Sequence, residues 1–115
     1  MAVDTWATHE LAFVLDLYFT KGDLHRGRPE VVEASDILRT IALAKGEKAA
    51  NFRSPSSVAS KLANFRSIDQ KIEGGRPNGG RNDRLVWDRF SGTPEVVARI
   101  AAGIRELAAG LELAV

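Results

Sequence analysis

The stretch "NFRSPSSVASKLANFRS", residues 51–67, decides most of what the sequence predicts about the fold. Ser54 fits the N-cap of a helix and Pro55 its first position, where the missing N–H of proline costs nothing. Three apolar residues then share one side of the helix at 100° per residue: Val58, Leu62 and Phe65. The tetrapeptide Asn-Phe-Arg-Ser occurs twice. Because thirteen residues cannot form an independent supersecondary unit, the segment is interpreted as one helix and not as a repeat.

The same helix has a second, polar side. Ser57, Ser60, Lys61 and Asn64 gather there, at the spacing with which a helix presents side chains along one face. We therefore predict that Asn64 points outward while its neighbour Phe65 enters the core. This gives the helix one face for packing and one for hydrogen bonding.

Outside this segment, apolar periodicity predicts three more helices. The first begins at the N-cap Thr8 and ends near Thr20, and it is apolar over much of its circumference, which is typical of a helix at the centre of a core. The second lies between Pro29 and Ala44, where either Pro29 begins it or Ser35 caps a shorter version. The last begins at Thr93-Pro94-Glu95, an N-cap, a proline and an acidic residue.

Residues 69–84, "DQKIEGGRPNGGRNDR", show no apolar period and hold four glycines, so they are predicted to form a long basic loop. The flanking segments "KI" and "RLVWDRF" could pair as short strands, which would make the loop a small β-wing. The expected fold is mainly α: a compact bundle of about four helices with a helix-turn-helix-like recognition helix and this basic loop or wing.

Length and composition favour a single domain over residues 1–115. There is no cysteine, which excludes a disulfide scaffold or a thiol nucleophile and favours a reducing compartment. No signal peptide is recognisable, and no apolar stretch approaches the ~20 residues that span a bilayer. We expect a cytoplasmic protein without a membrane partner.

The net charge of +1 hides an uneven distribution. Residues 45–90 carry ten basic and five acidic side chains, whereas the segments on either side have a net negative charge. A basic middle of this kind is typical of a nucleic-acid surface, although a solvated loop without a partner would look the same.

No catalytic constellation is found. The two histidines, His9 and His25, lack metal-ligand spacing and are expected at the surface. Asp83 and Asp88 are interpreted as salt-bridge partners of nearby arginines. No nucleophile elbow or phosphate loop is present, so we predict no enzyme activity, no cofactor and no metal.

A DNA-binding surface is the stronger hypothesis. The hydroxyls and free N–H groups at the helix start suit a phosphate, Arg53 can add a charge-assisted bond, and the polar face can reach base edges. The loop arginines can follow the backbone or enter a minor groove. The predicted DNA contacts are Arg53, Ser54, Ser56, Ser57, Lys61, Asn64, Arg66, Arg76, Asn78, Arg81 and Arg84.

Each of these signals also has an ordinary explanation. Capping alone accounts for Ser54, and Lys61 and Asn64 could form a solvated helix face. Trp6 and Trp87 are expected in or near the core, with a small pocket for a modified base as the alternative.

Three motifs resemble one known family: "W-x-x-x-E-L-x-x-x-L-D-L-Y" (6–18), "N-F-R-S-P-S-S-V-x-x-K-L-x-N-F" (51–65) and "V-W-x-x-F" (86–90). Together they resemble the N-terminal domain of McrA-like HNH modification-dependent restriction endonucleases. The resemblance covers residues 5–108, and its central block is the most specific part.

The resemblance implies recognition of modified double-stranded DNA, such as DNA with 5-methylcytosine, in the restriction of foreign DNA. It assigns DNA contacts to Arg53, Ser57, Lys61, Asn64 and the loop arginines. The His-Asn-His nuclease motif is absent from this chain, so cleavage would need a separate HNH domain or subunit. A sequence-nonspecific DNA-binding head and an oligomerisation head, including a homodimer, remain the alternatives.

Overall fold

The computed structural model describes residues 6–46, 52–70 and 81–113, and every regular element in these ranges is a helix. In chain order they are α1 (Thr8–Lys21), α2 (Pro29–Ala44), α3 (Pro55–Asp69), α4 (Arg81–Phe90) and α5 (Pro94–Leu113). The predicted mainly-α fold is confirmed, with five helices instead of about four. None of these helices is long and apolar enough to cross a membrane.

Helix α1 lies at the centre of the core. It packs against α3, α4 and α5, and Leu11, Val14 and Leu15 are fully buried. This central position explains why α1 is apolar on most sides, as the sequence predicted. Its N-cap is Ala7 and not Thr8. The Glu10 carboxylate accepts a hydrogen bond from the Ala7 N–H at 2.9 Å, which satisfies a donor at the helix start.

Helices α2 and α3 begin where their prolines predict. Pro29 and Pro55 occupy the first turn of each helix. The Ser54 hydroxyl accepts from the Ser57 N–H at 3.2 Å, so the predicted N-cap of α3 is confirmed. The apolar side of α3 is fully buried, as expected: Val58, Leu62 and Phe65.

The predicted strand "RLVWDRF" is wrong, because residues 81–90 form α4. Asp83, Val86, Trp87 and Phe90 follow a helical period, and the first two are buried. Trp87 packs against three rings of α1 and α3 with centroid distances of 5.8–6.4 Å. The predicted loop therefore ends before Arg81. Its segment 71–80, with Arg76 and Asn78, lies outside the described residues.

Candidate nucleic-acid interface

Two residues of the polar face of α3, Lys61 and Asn64, are directed toward α4. Lys61 Nζ lies 3.0 and 3.2 Å from the two carboxylate oxygens of Asp83. Asn64 Nδ2 donates to Asp83 Oδ2 at 2.7 Å. Asn64 is only 5% exposed and Asp83 is fully buried. The predicted outward position of Asn64 is therefore wrong.

The burial of Asp83 explains this correction. A carboxylate removed from water needs charged or hydrogen-bonding partners, and Lys61 and Asn64 on the neighbouring helix supply them. Asn64 Oδ1 is also buried, and it has no hydrogen-bond partner among the residues described. The Asp83 carboxylate of α4 thus joins the two helices by accepting from Lys61 and Asn64 of α3. As DNA contacts, Lys61 and Asn64 would first have to leave Asp83.

Arg53 is likewise committed inside the protein. Its Nε and Nη2 donate to the two oxygens of Glu10, both at 2.8 Å, and the residue is 4% exposed. The guanidinium lies between the rings of Trp6 and Phe52, at 4.4 and 3.9 Å from their centroids. This placement contradicts a surface role for Arg53 in the folded chain.

The backbone of Arg53 is fixed as well. Its carbonyl accepts from the Ser35 hydroxyl at 2.7 Å, and its φ of 49° lies in the left-handed region that few residues other than glycine adopt.

Burial alone would raise the pKa of Glu10, but the hydrogen bonds from Arg53 and the Ala7 N–H, together with the Arg53 charge, hold that pKa below its usual value. The Glu10 carboxylate therefore remains ionised at neutral pH.

The remaining α3 candidates divide into capping and exposed residues. The Ser54 and Ser57 hydroxyls lie 3.2 Å apart at the helix start, where Ser54 is the cap. Ser56 and Arg66 are exposed. Arg66 has a long contact of 3.9 Å with Asp23, which leaves its guanidinium accessible to an additional anion.

Helix α4 carries an exposed basic surface that sequence reasoning assigned only in part. Arg81, Leu85 and Arg89 are four residues apart, so they align along the outer side of the helix, and all three are exposed. We call these three residues the α4 ridge. Arg84 is exposed beside it. Leu85 and Arg89 were missed because their segment was interpreted as a strand; a helical period would have placed them outside.

The arginines of α4 differ in their pairing from three other exposed arginines and share the lack of a described carboxylate partner with the exposed Arg26 and Arg99. Arg28, Arg66 and Arg105 each have a carboxylate within 4 Å. By contrast, none of the described carboxylates lies within that distance of Arg81, Arg84 or Arg89. Their charge is therefore available to an external anion.

Two grooves lie on the described surface. One of about 480 Å³ runs beside the α4 ridge and is lined by Thr8, Asn82, Leu85, Val86, Asp88 and Arg89. The other, of about 640 Å³, separates the α1–α2 loop, including His25 and Arg26, from Ser56 and Ser60 of α3. Both are lined by apolar and hydrogen-bonding groups together.

In the described part of the chain, no three acidic, histidine or cysteine side chains lie close enough together to hold a metal ion. His9 and His25 are exposed, as predicted. Trp6 is buried and Trp87 packs against the core, also as predicted.

Comparison of this chain with protein families, curated proteins and solved structures finds no match. The candidate interface therefore rests on geometry and charge.

Proposed function

We propose that this chain is a non-catalytic module that binds double-stranded DNA and recognises cytosine methylation, as in the restriction of foreign DNA. The observation that carries the proposal is the set of arginines on α4, which are exposed and lack carboxylate partners among the described residues. DNA binding draws most of its affinity from such cations, because each one that neutralises a phosphate releases counterions.

The position of two of these arginines strengthens the argument. Arg81 and Arg84 lie in the first turn of α4, where the helix dipole favours negative charge. Cations at this end therefore do not help the helix to form. An anion bound there would interact favourably with both arginines and with the N-terminal end of the dipole, which is the arrangement expected for a phosphate contact.

Helix α3 has a smaller part in the revised proposal. A helix-turn-helix-like role would have to use Ser56 and Arg66, because Arg53, Lys61 and Asn64 are held internally. Ser56 offers a hydroxyl and Arg66 a cation for backbone contacts. The resemblance to the head domains of McrA-like endonucleases supports methylated DNA as the target and a separate HNH nuclease as the partner.

The test is binding of the purified chain to matched duplexes with and without 5-methylcytosine, measured by fluorescence anisotropy over a salt series. The double change R81A/R84A should make the negative slope of log K against log salt shallower by about 1.8, since two phosphate contacts are lost. The change R99A/K45A is the control, because it removes two exposed positive charges elsewhere.

The outcomes separate the parts of the proposal. Equal loss in both double variants would contradict a specific role for α4. Equal affinity of the wild type for all duplexes would leave a nonspecific DNA-binding head. Absence of binding even at low salt would reject DNA binding altogether, because nonspecific contacts are strongest there.

A second candidate function is oligomerisation through α5. Leu107 is 53% exposed on this helix, and Gly103 and Gly110, four residues before and three after it, leave open space on the helix surface. Such a surface would allow close approach of a second helix. Sedimentation of the wild type and L107E at several concentrations tests it: a concentration-independent monomer in both rejects this function.

A further inference from the structure

We infer that the outer side of α4 reads 5-methylcytosine in the major groove, with Leu85 against the C5-methyl group and Asp88 accepting from the N4 amine. This inference rests on the proposed function, which it deepens by naming the reading residues. It also moves the reading element from α3, where the sequence placed it, to α4.

Leu85 is the first observation. It is 55% exposed in the middle of the α4 ridge, with an arginine one turn before and one turn after it. An exposed leucine does not contribute much to the core, and its arginine neighbours keep it from serving as an apolar protein contact without burying charge. Against DNA, a leucine between two arginines is favourable, because the arginines can contact phosphates while the apolar side chain contacts a base methyl group.

Asp88 is the second observation. It is exposed, with Arg89 beside it in the sequence and Arg84 one helical turn before it, yet no salt bridge joins it to either arginine. A carboxylate repels phosphates, so its presence on a phosphate-binding helix calls for a separate role. In the major groove the N4 amine of cytosine is the donor that a carboxylate recognises.

The spacing of the two residues fits one base. Leu85 and Asp88 are three residues apart and both line the groove of about 480 Å³ beside the ridge, so their side chains are neighbours on the helix surface. Cytosine presents its C5 substituent and its N4 amine on adjacent ring positions. Asn82 lines the same groove and can hydrogen-bond a neighbouring base edge. Thymine has the methyl group but an acceptor in place of the amine, so Asp88 would reject it.

The experiment compares three duplexes that differ at one central position: cytosine, 5-methylcytosine and thymine, each with its complementary base, at one fixed salt concentration. The change L85A should reduce the preference for 5-methylcytosine over cytosine by roughly fourfold, the value of one buried methyl group. The change D88N should reduce the preference for 5-methylcytosine over thymine by roughly tenfold.

Matched controls exclude general effects. L43A removes another exposed leucine, 64% exposed on α2, and D36N neutralises an exposed carboxylate of the same helix; both should leave the two preferences unchanged. Circular dichroism of all four variants should show the wild-type helix content, since every changed residue is exposed.

The failure of the inference differs from the failure of the proposed function. A wild type that prefers 5-methylcytosine, with the preference intact in L85A and D88N, would overturn the assignment to α4 while methylated-DNA recognition stands. Binding without any preference in the wild type would reject methyl reading on any surface. Absence of wild-type binding would reject both.

Discussion

Arg53 and Arg81 are the same residue type in opposite surroundings. Arg53 is buried, joined to both oxygens of Glu10 and enclosed by two aromatic rings. Arg81 is exposed at the start of α4, with none of the described carboxylates in salt-bridge range. The first charge belongs to the folded structure, whereas the second is available for a ligand.

This difference shows why the basic middle of the sequence overstates the charge at the surface. Among the cations of residues 45–90, Arg53 and Lys61 are held by the buried carboxylates of Glu10 and Asp83. Those internal pairs connect α1 to the segment before α3, and α3 to α4. In the described part of residues 45–90, the exposed cations that remain are Lys45, Arg66 and the three arginines of α4. The contrast between buried and exposed arginines can be tested with a variant of each kind.

The largest effect is expected for R53A. Removing the guanidinium leaves the Glu10 carboxylate buried without its ionic partner, so the free energy of unfolding should fall by about 3–5 kcal/mol. R81A, the surface counterpart, should change it by no more than about 0.5 kcal/mol. Urea unfolding followed by circular dichroism measures both. Similar losses in the two variants would contradict the division into structural and available arginines.

A somewhat smaller effect is expected for D83A. This change leaves Lys61 and Asn64 without their shared acceptor, and it should lower the free energy of unfolding by about 3 kcal/mol. Lys61 is partly exposed and can turn toward water, which is why the loss should be below that of R53A. D88A removes an exposed carboxylate from the same helix and serves as control. Equal stability of D83A and D88A would mean that the α3–α4 contact does not depend on this cluster.

The helical fold could be predicted from the sequence where local signals agree. Pro29 and Pro55 mark helix starts, and Ser54 caps α3 with the expected hydrogen bond. The core faces of α1 and α3 follow directly from apolar period. In these segments propensity, capping and periodicity all point to one structure.

Other features depend on contacts between residues distant in sequence. Nothing near Asn64 indicates that Asp83, nineteen residues later, will be buried against it. The partners Arg53 and Glu10 are separated by 43 positions. Helix α4 was missed for a different reason: glycine-rich residues precede it and its apolar side is short, so a strand fitted "RLVWDRF" equally well. The available arginines became recognisable only once that helix was known.

The smallest expected effect concerns acid stability. The pKa of Glu10 is lowered from its ordinary value of 4.5, so the folded state binds its proton less readily than the unfolded chain. Its ionised form therefore stabilises the protein above about pH 4.5, and this contribution is lost as the pH falls through the folded-state pKa.

The change E10Q should accordingly flatten the loss of stability between pH 5 and 3, in urea unfolding measured over that range. Asp16 provides a control of opposite sign, since burial raises its pKa despite the charge of Arg105. Protonation of Asp16 relieves a cost of burial, so D16N should make the acid loss steeper. If E10Q left the loss of stability between pH 5 and 3 as steep as in the wild type, the Arg53–Glu10 pair would not be the source of acid sensitivity, and the contrast between Arg53 and Arg81 would lose its electrostatic basis.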